Sequence, residues 1–246
     1  MEIDDHSLHS PYLFEFYSRV IRASKKIDSD PEIEALRKRY GRDHRKIRGN
    51  WLGAGSRIHK NKPRRLSDIA RSGITKVNYS KLLLSLIDFY ECESLIELGT
   101  SIGLNALYLS RGKQVKHFLT FEGNPALAEI AEDHFKTLSQ KEIKLVQGDI
   151  DDTLHDQLRQ IGKVDFVYLD ANHTAEATLR YVSLLQPCLS SRSVLVLDDI
   201  YWSSGMTDAW EKICRLPNHK LCFDLFQIGI LIHDEKAPDG YFRLAF

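Results

Sequence analysis

The chain has 246 residues, a formal net charge of zero, 43% hydrophobic residues and 28% charged residues. That length suffices for one large α/β domain, and the composition is that of an ordinary globular protein, not of a disordered or fibrous chain. No apolar run is long enough to span a bilayer, and the acidic, polar start "MEIDDHSLHSPY" reads as neither a signal peptide nor a transit peptide.

The first 92 residues read as helices interrupted by a basic, glycine-bearing stretch, "GRDHRKIRGNWLGAGSRIHKNKPRR". "SPYLFEFYSRVI" carries aromatic and aliphatic residues at helical spacing, and "NYSKLLLSLIDFYE" is a strong amphipathic helix. These helices need something to pack on, so residues 1–92 are expected to be an N-terminal helical cap and substrate lid, with residues 93–246 as the main domain. Charge divides the same way. Residues 1–92 hold 19 Lys and Arg against 12 Asp and Glu, and the remainder holds 15 against 22. The basic excess peaks between Arg37 and Arg65. A solvated helix face, docking of the two parts on each other, or an anionic partner would each account for it.

After residue 92 short apolar runs alternate with helical patterns. The runs are "SLIELG" (94–99), "HFLTFEG" (117–123), "IKLVQGD" (143–149), "VDFVYLD" (164–170), "SVLVLDD" (193–199), "KLCFDLF" (220–226) and "IGILIHD" (228–234). Helical patterns fill 104–111, 125–138, 153–161, 174–186 and 205–215. Asn124-Pro125 is a capping residue followed by proline at the first helical position, and Thr174 and Ser204 also read as starts. Strands apolar on both faces suit a mostly parallel sheet covered by helices on both sides. The tight link between the last two runs permits an antiparallel pair. The four cysteines (Cys92, Cys188, Cys214, Cys222) show no metal or redox spacing, so free thiols in a reducing cytoplasm are expected.

In such a sheet ligands bind off the C-terminal ends of the strands. Here those ends carry Glu97, Glu122, Asp149, Asp170 and Asp198-Asp199. Acids ending five consecutive strands form a site, or a like-charge cost with nothing to offset it. The first turn, "ELGTSIG", brackets Thr100 and Ser101 between Gly99 and Gly103 and has no middle glycine, which disfavours a dinucleotide. Glu97, just before it, suits an amino group. Glu122 lies 23 residues after Gly99, where an acid can accept the hydroxyls of a ribose. Asp149 ends the third strand, where an acid can accept from an adenine amine. Amino acid, ribose and adenine together describe S-adenosylmethionine.

The segments "LIELGTSIGLNALYLS", "FLTFEGNP", "VQGDI", "VDFVYLDANHT" and "VLVLDDIYW" resemble the class I S-adenosylmethionine-dependent methyltransferases. They are most similar to the catechol- and caffeoyl-CoA-type O-methyltransferases. The resemblance runs over roughly residues 94–202. It implies a Rossmann-like α/β fold with a seven-stranded, mostly parallel sheet, an antiparallel last strand and helices on both faces. It also implies a helical N-terminal segment over the cofactor, and dimers are common among related enzymes. Carried over by position, Glu97, Gly99, Thr100, Ser101, Gly103 and Asn105 would line the methionine part. Glu122 would hold the ribose and Asp149 with Ile150 the adenine; Gly123 and Asp170 complete the expected cofactor-binding set, with Asp170 and His173 the expected catalytic residues.

The same resemblance implies a divalent cation, Mg²⁺ or a similar one, held by Asp170, Asp198 and Asp199. Asp199 stands where the family usually has Asn. A general base is implied at His173, where the family has Lys; an imidazole titrates near neutrality and can take a hydroxyl proton. Tyr201 and Trp202, after the acidic pair, are candidate walls of the acceptor pocket. His6, His9, Tyr12 and Phe16 are candidates to close over it. The expected acceptor is a small-molecule hydroxyl or carboxyl compound. A nucleic-acid (RNA) methyltransferase using the basic stretch 37–65 is the alternative. Against it, only Trp51 and Tyr40 are available for base stacking, and the Asn/Asp-Pro-Pro-aromatic signature of amino methylation is replaced by "DANH".

Overall fold

The computed structural model describes residues 10–49, 51, 62–139, 141–217 and 219–246. The elements that position the site begin with β3 (Ser94–Leu98), α5 (Leu104–Leu109), β4 (His117–Glu122), α6 (Pro125–Leu138) and β5 (Lys144–Gln147). They continue through α7 (Ile150–Leu158), β6 (Val164–Leu169), α8 (Ala175–Leu185), β7 (Leu189–Leu197) and α9 (Ser204–Cys214). The chain finishes with β8 (Leu221–Asp224), β9 (Gly229–Asp234) and β10 (Gly240–Arg243). Ahead of these lie α1 (Pro11–Phe16), continued by a π-helical segment Tyr17–Arg22, then α2 (Pro31–Tyr40). A short ladder of β1 (Lys46–Ile47) with β2 (Arg64–Arg65) follows, then α3 (Leu66–Ser72) and α4 (Val77–Tyr90).

The main sheet has the order β10-β8-β9-β7-β6-β3-β4-β5. Strands β3 to β7 pair in parallel. β9 pairs antiparallel with both β7 and β8, as the tight link predicts. The sheet has eight strands and not seven. The additional edge strand, β10, lies parallel to β8 and alternates half-buried and exposed residues, so its pattern carries little apolar signal.

Period-two alternation splits each central strand between two cores. Leu95, Phe166, Tyr168, Val194 and Val196 join one cluster, while Ile96, Leu98, Val167, Leu169, Leu195 and Leu197 join the other beneath α7, α8 and α9. The first cluster also contains Leu13, Phe16, Ile33, Leu66 and Leu82 from the N-terminal helices. Those helices therefore share their core with the sheet. Phe16 stacks on Phe223 of β8 with centroids 4.3 Å apart. Tyr12 hydrogen-bonds Tyr90 at 2.7 Å and reaches Asp234 at 3.5 Å. Asp234 pairs with Arg192 near the start of β7, so Tyr12 docks at the end of the sheet opposite the acidic rim. It does not close over that rim, and His6 and His9 lie outside the described residues.

Helix starts follow the capping chemistry. Asn124 accepts from the backbone N–H groups of Ala126 and Leu127, with Pro125 at the first turn. Thr174 caps α8, and Ser203, one residue before the expected start, caps α9. Each such cap is worth about 1 kcal/mol. Asp149 caps α7, which therefore begins at Ile150 and not at residue 153. No helix among the described residues is long and apolar enough to cross a membrane. The four cysteines are free.

Candidate active site

The turn after β3 is built from backbone that only certain residues tolerate. Gly99 has φ +104°, and a Cβ there would run into the carbonyl of Asp170. Gly103 has φ +80°, and a Cβ would lie 2.7 Å from the Phe135 ring. Between them Ser101 is left-handed at φ 52°. Its backbone N–H donates to Glu122 Oε2 at 2.7 Å. Its hydroxyl is buried and has no hydrogen-bond partner. A buried hydroxyl without a protein partner is open to a ligand or an ordered water.

Glu97 sits under this turn with no exposed surface. Asn105 Nδ2 donates to its Oε1 at 2.8 Å, and Thr120 Oγ1 donates to its Oε2 at 2.6 Å. Ser80 of α4 donates to the Asn105 carbonyl oxygen at 2.8 Å, and Thr100 and Thr120 hydroxyls share a bond at 2.6 Å. Burial pushes the Glu97 carboxyl up to about 7, with the charge of Glu122 adding to it and the two side-chain donors opposing. Burial likewise raises Glu122 to about 7, against the lowering effect of backbone N–H donors, Asn124 and Ser101 foremost. Two neighbouring acids held this high are poised to ionise beside a cation.

The adenine-side residues are placed differently. Asp149 Oδ1 accepts the N–H of Asp151 as a helix cap, and the Ile150 side chain is buried in the second core. Asp149 is half-buried at the rim. Gly123 follows Glu122 directly and is half-buried.

Asp170, His173, Asp198 and Asp199 come together at the ends of β6 and β7. Asn172, His173 and Asp199 all have left-handed backbone, at φ 66°, 45° and 52°. Non-glycine residues in that region cost roughly 1 kcal/mol or more each, and such strain clusters at functional sites. His173 Nε2 lies 3.5 Å from Asp170 Oδ1, and Nδ1 lies 4.0 Å from Asp199 Oδ2. Nδ1 is buried and has no hydrogen-bond partner. Burial pushes Asp170 well above the usual carboxylate range, reinforced by Asp198, Asp199 and Glu97. Asp198 is raised by burial, opposed by its bond from Tyr168.

Asp198 Oδ2 accepts from the Tyr168 hydroxyl at 2.7 Å, and Oδ1 accepts the Asp199 N–H at 2.9 Å. Asp198 of the expected cation set is thus oriented by one protein donor on each oxygen. Among the described residues no group of three or more His, Cys, Asp or Glu converges in a metal-holding arrangement.

Residues that the sequence pattern did not single out complete this corner. Thr75, between α3 and α4, bonds the Tyr168 hydroxyl at 3.1 Å and reaches Asp170 Oδ2 at 3.5 Å. Tyr79 lies near enough to Asp198 for that charge to add to the effect of burial in raising its hydroxyl. Of these, Tyr168 carried a signal: a hydroxyl inside the apolar run Phe166–Leu169. The two candidate acceptor-wall residues part company. The Trp202 ring lies 6.0 Å from His173, whereas the Tyr201 hydroxyl turns to Asp224 at 2.5 Å.

The basic stretch offers no stacking surface in its described part. Trp51 is 8% exposed, with its indole N–H on the Lys62 carbonyl and Arg64 over its ring. Tyr40 is buried against His134, which in turn bonds the Ile102 carbonyl of the glycine turn. A cavity of about 440 Å³ lies at the opposite end of the sheet, around Lys116, Lys144 and Lys163, and none of the expected site residues lines it.

A family model described as a methyltransferase domain matches residues 96–200, from inside β3 to just beyond β7. Residues 96–200 are similar to a methyltransferase domain. Solved structures share the fold. An O-methyltransferase from Bacillus cereus in complex with SAH is 14% identical with a TM-score of 0.60, over 87% of this chain and 97% of that one. The SAH-bound Podospora anserina methyltransferase PaMTH1 is 16% identical with a TM-score of 0.61, over 91% and 98%. The SAM complex of the O-methyltransferase TomG from Streptomyces achromogenes is 14% identical with a TM-score of 0.60, over 88% and 96%. No curated protein matches the sequence. The fold is that of the class I S-adenosylmethionine-dependent methyltransferases, with one edge strand more than the sequence pattern implied.

Proposed function

We propose that the protein transfers a methyl group from S-adenosylmethionine to a hydroxyl or carboxyl oxygen of a small molecule. The observation that carries this reading is the left-handed glycine turn with its orphan Ser101 hydroxyl, flanked by Glu97 and Glu122. When bound, S-adenosylmethionine supplies an electrophilic sulfonium methyl and two positive charges. The Ser101 hydroxyl and the turn's backbone would receive the methionine carboxylate, and Glu97 its ammonium group. Glu122, already oriented by the Ser101 and Asn124 N–H groups, keeps lone pairs for the ribose hydroxyls. Asp149 and Ile150 would border the adenine.

His173 is the proposed base. Its Nδ1 has no protein partner, and Asp170 lies 3.5 Å from Nε2; when Asp170 is ionised it favours the tautomer that leaves Nδ1 able to take the acceptor's proton. Holding the acceptor oxygen against the methyl carbon is then chiefly a matter of position. The scheme places no step on a cation; Asp198, oriented by Tyr168 and by the Asp199 N–H, keeps lone pairs through which it would, with Asp170 and Asp199, hold one. The buried positions of Trp51 and Tyr40 favour a small molecule over RNA.

The test is methyl transfer from labelled S-adenosylmethionine to a panel of phenols, catechols and carboxylic acids, with and without EDTA. Transfer that survives EDTA and falls at least about hundredfold in His173→Ala, at unchanged cofactor affinity, is expected. Full activity in His173→Ala would reject the base, and loss with EDTA would place a step on the cation.

A further inference from the structure

Among the described residues five large apolar side chains are exposed, and four of them crowd one corner: Tyr201 at 41%, Trp202 at 58%, Phe226 at 55% and Tyr241 at 46%. They come from three separate segments, the β7–α9 loop, the β8–β9 turn and β10. All lie at the rim that carries Asp198. The corner is organised by one carboxylate. Asp224, with no exposed surface, accepts from Tyr201 at 2.5 Å, Tyr241 at 2.8 Å and Arg243 Nε at 2.9 Å on Oδ2. Its Oδ1 takes the Phe226 N–H at 2.9 Å. Arg243 also bonds the Tyr201 hydroxyl at 2.9 Å and stands 5.9 Å over the Phe226 ring. Burial pushes Asp224 up, yet these four donors outweigh it and hold it below the usual carboxylate range.

Phe226 itself is at φ 66°. A bulky aromatic residue in the left-handed region is an outlier where glycine or asparagine would be at ease. Its ring is then left mostly in solvent, so burial gives little return for the strain. Strain kept at an exposed aromatic points to use of the ring. The corner also runs on from the proposed methyl-transfer centre. Trp202 is beside His173, Tyr201 is its chain neighbour, and Arg243 links Tyr201 to Phe226. The Ile200 N–H donates to the Gln227 carbonyl at 3.2 Å, which ties the two loops together.

We infer that Trp202 and Phe226 form an aromatic platform for the far end of the methyl acceptor. The acceptor class is then an extended hydroxy-aromatic compound: one ring presents its oxygen to His173, and a second flat apolar portion lies on Phe226 beside Arg243. The guanidinium is neutralised by Asp224, so the far portion carries no obligatory negative charge. This inference rests on the proposed activity for its reacting end only; the platform is a property of the rim.

The test compares wild type with Phe226→Gly, in the presence of S-adenosylhomocysteine, by ligand-observed NMR titration with phenol and with 4-hydroxybiphenyl. Wild type is expected to prefer 4-hydroxybiphenyl, and Phe226→Gly to lose about tenfold of that affinity while binding phenol and S-adenosylhomocysteine unchanged. Phe226→Gly is also expected to raise Tm by about 2–4 °C, because the strain goes with the ring. A lower Tm would mark the ring as structural and overturn the inference, as would equal binding of 4-hydroxybiphenyl by both proteins. A wild-type dimer in light scattering that Phe226→Gly converts to monomer would assign the corner to a second copy instead. Wild type that binds 4-hydroxybiphenyl but not S-adenosylhomocysteine would keep the platform and sink the cofactor reading.

Discussion

Replacing Glu97 by Gln removes a buried charge without changing shape, and its effect on pH-dependent stability follows from the geometry. Burial raises the folded-state carboxyl from 4.5 to about 7. The folded protein therefore holds this proton more tightly than the unfolded chain. Stability must fall as pH rises through the window between those two values, because the unfolded state releases the proton first. A shift of that size corresponds to about 3 kcal/mol once the pH is well above 7. The variant should keep both local bonds: its amide oxygen accepts from Asn105, and its NH₂ donates to the Thr120 oxygen, whose proton is free to turn to Thr100. Glu97→Gln should then match wild type near pH 5 and exceed it by about 3 kcal/mol near pH 8, measured by urea unfolding at four or five pH values. Glu122 is raised in the same direction and couples to Glu97, so the difference between the two proteins includes the release of that coupling. S-adenosylhomocysteine, whose ammonium group would offset the charge, should stabilise wild type more at pH 8 than at pH 5. Parallel pH profiles for the two proteins would refute the account of Glu97 as a strained acid awaiting a cation.

Two other substitutions probe the cofactor side. Gly99→Ala should unfold at a Tm several degrees lower and lose S-adenosylhomocysteine binding in calorimetry, since a Cβ at φ +104° meets the Asp170 carbonyl. Glu122→Ala frees the N–H groups of Ser101 and Asn124 and should weaken S-adenosylhomocysteine about tenfold or more by calorimetry, with unchanged affinity removing Glu122 from the ribose role.

Much of the fold could be read from residue order because strand and helix signals agreed with tertiary context. The central strands are apolar on both faces and are buried on both faces. Asn124-Pro125 marks its helix start because the cap needs only local chemistry. β10 escaped notice for the opposite reason: it is short and half-exposed, and it pairs with β8 across the intervening β9. The first four residues of β7 are polar or exposed, apart from Leu189, which hides the strand's true start.

At the site, positions set by the strand ends were legible, and contacts made across the chain were not. Thr75 reaches Tyr168 across 93 residues and Asp170 across 95, and no local pattern announces that. The cation expectation came from the resemblance, and no local pattern announces that Tyr168 and the Asp199 backbone N–H orient Asp198. Tyr201 is a candidate acceptor wall from its place after two acids, and nothing in that place announces that its hydroxyl bonds buried Asp224 on a different strand. Tyr12 and Phe16 have the apolar character of a lid, but the nearest large apolar surface is β8 and the α4–β3 junction, so they pack there.

The central claim is that the turn after β3 binds S-adenosylmethionine, and isothermal calorimetry of the full-length protein with S-adenosylhomocysteine tests it most directly. Saturable one-to-one binding with micromolar affinity, weakened in Glu122→Ala, is the predicted result. No heat and no shift in Tm at millimolar S-adenosylhomocysteine, from protein that unfolds cooperatively, would contradict it.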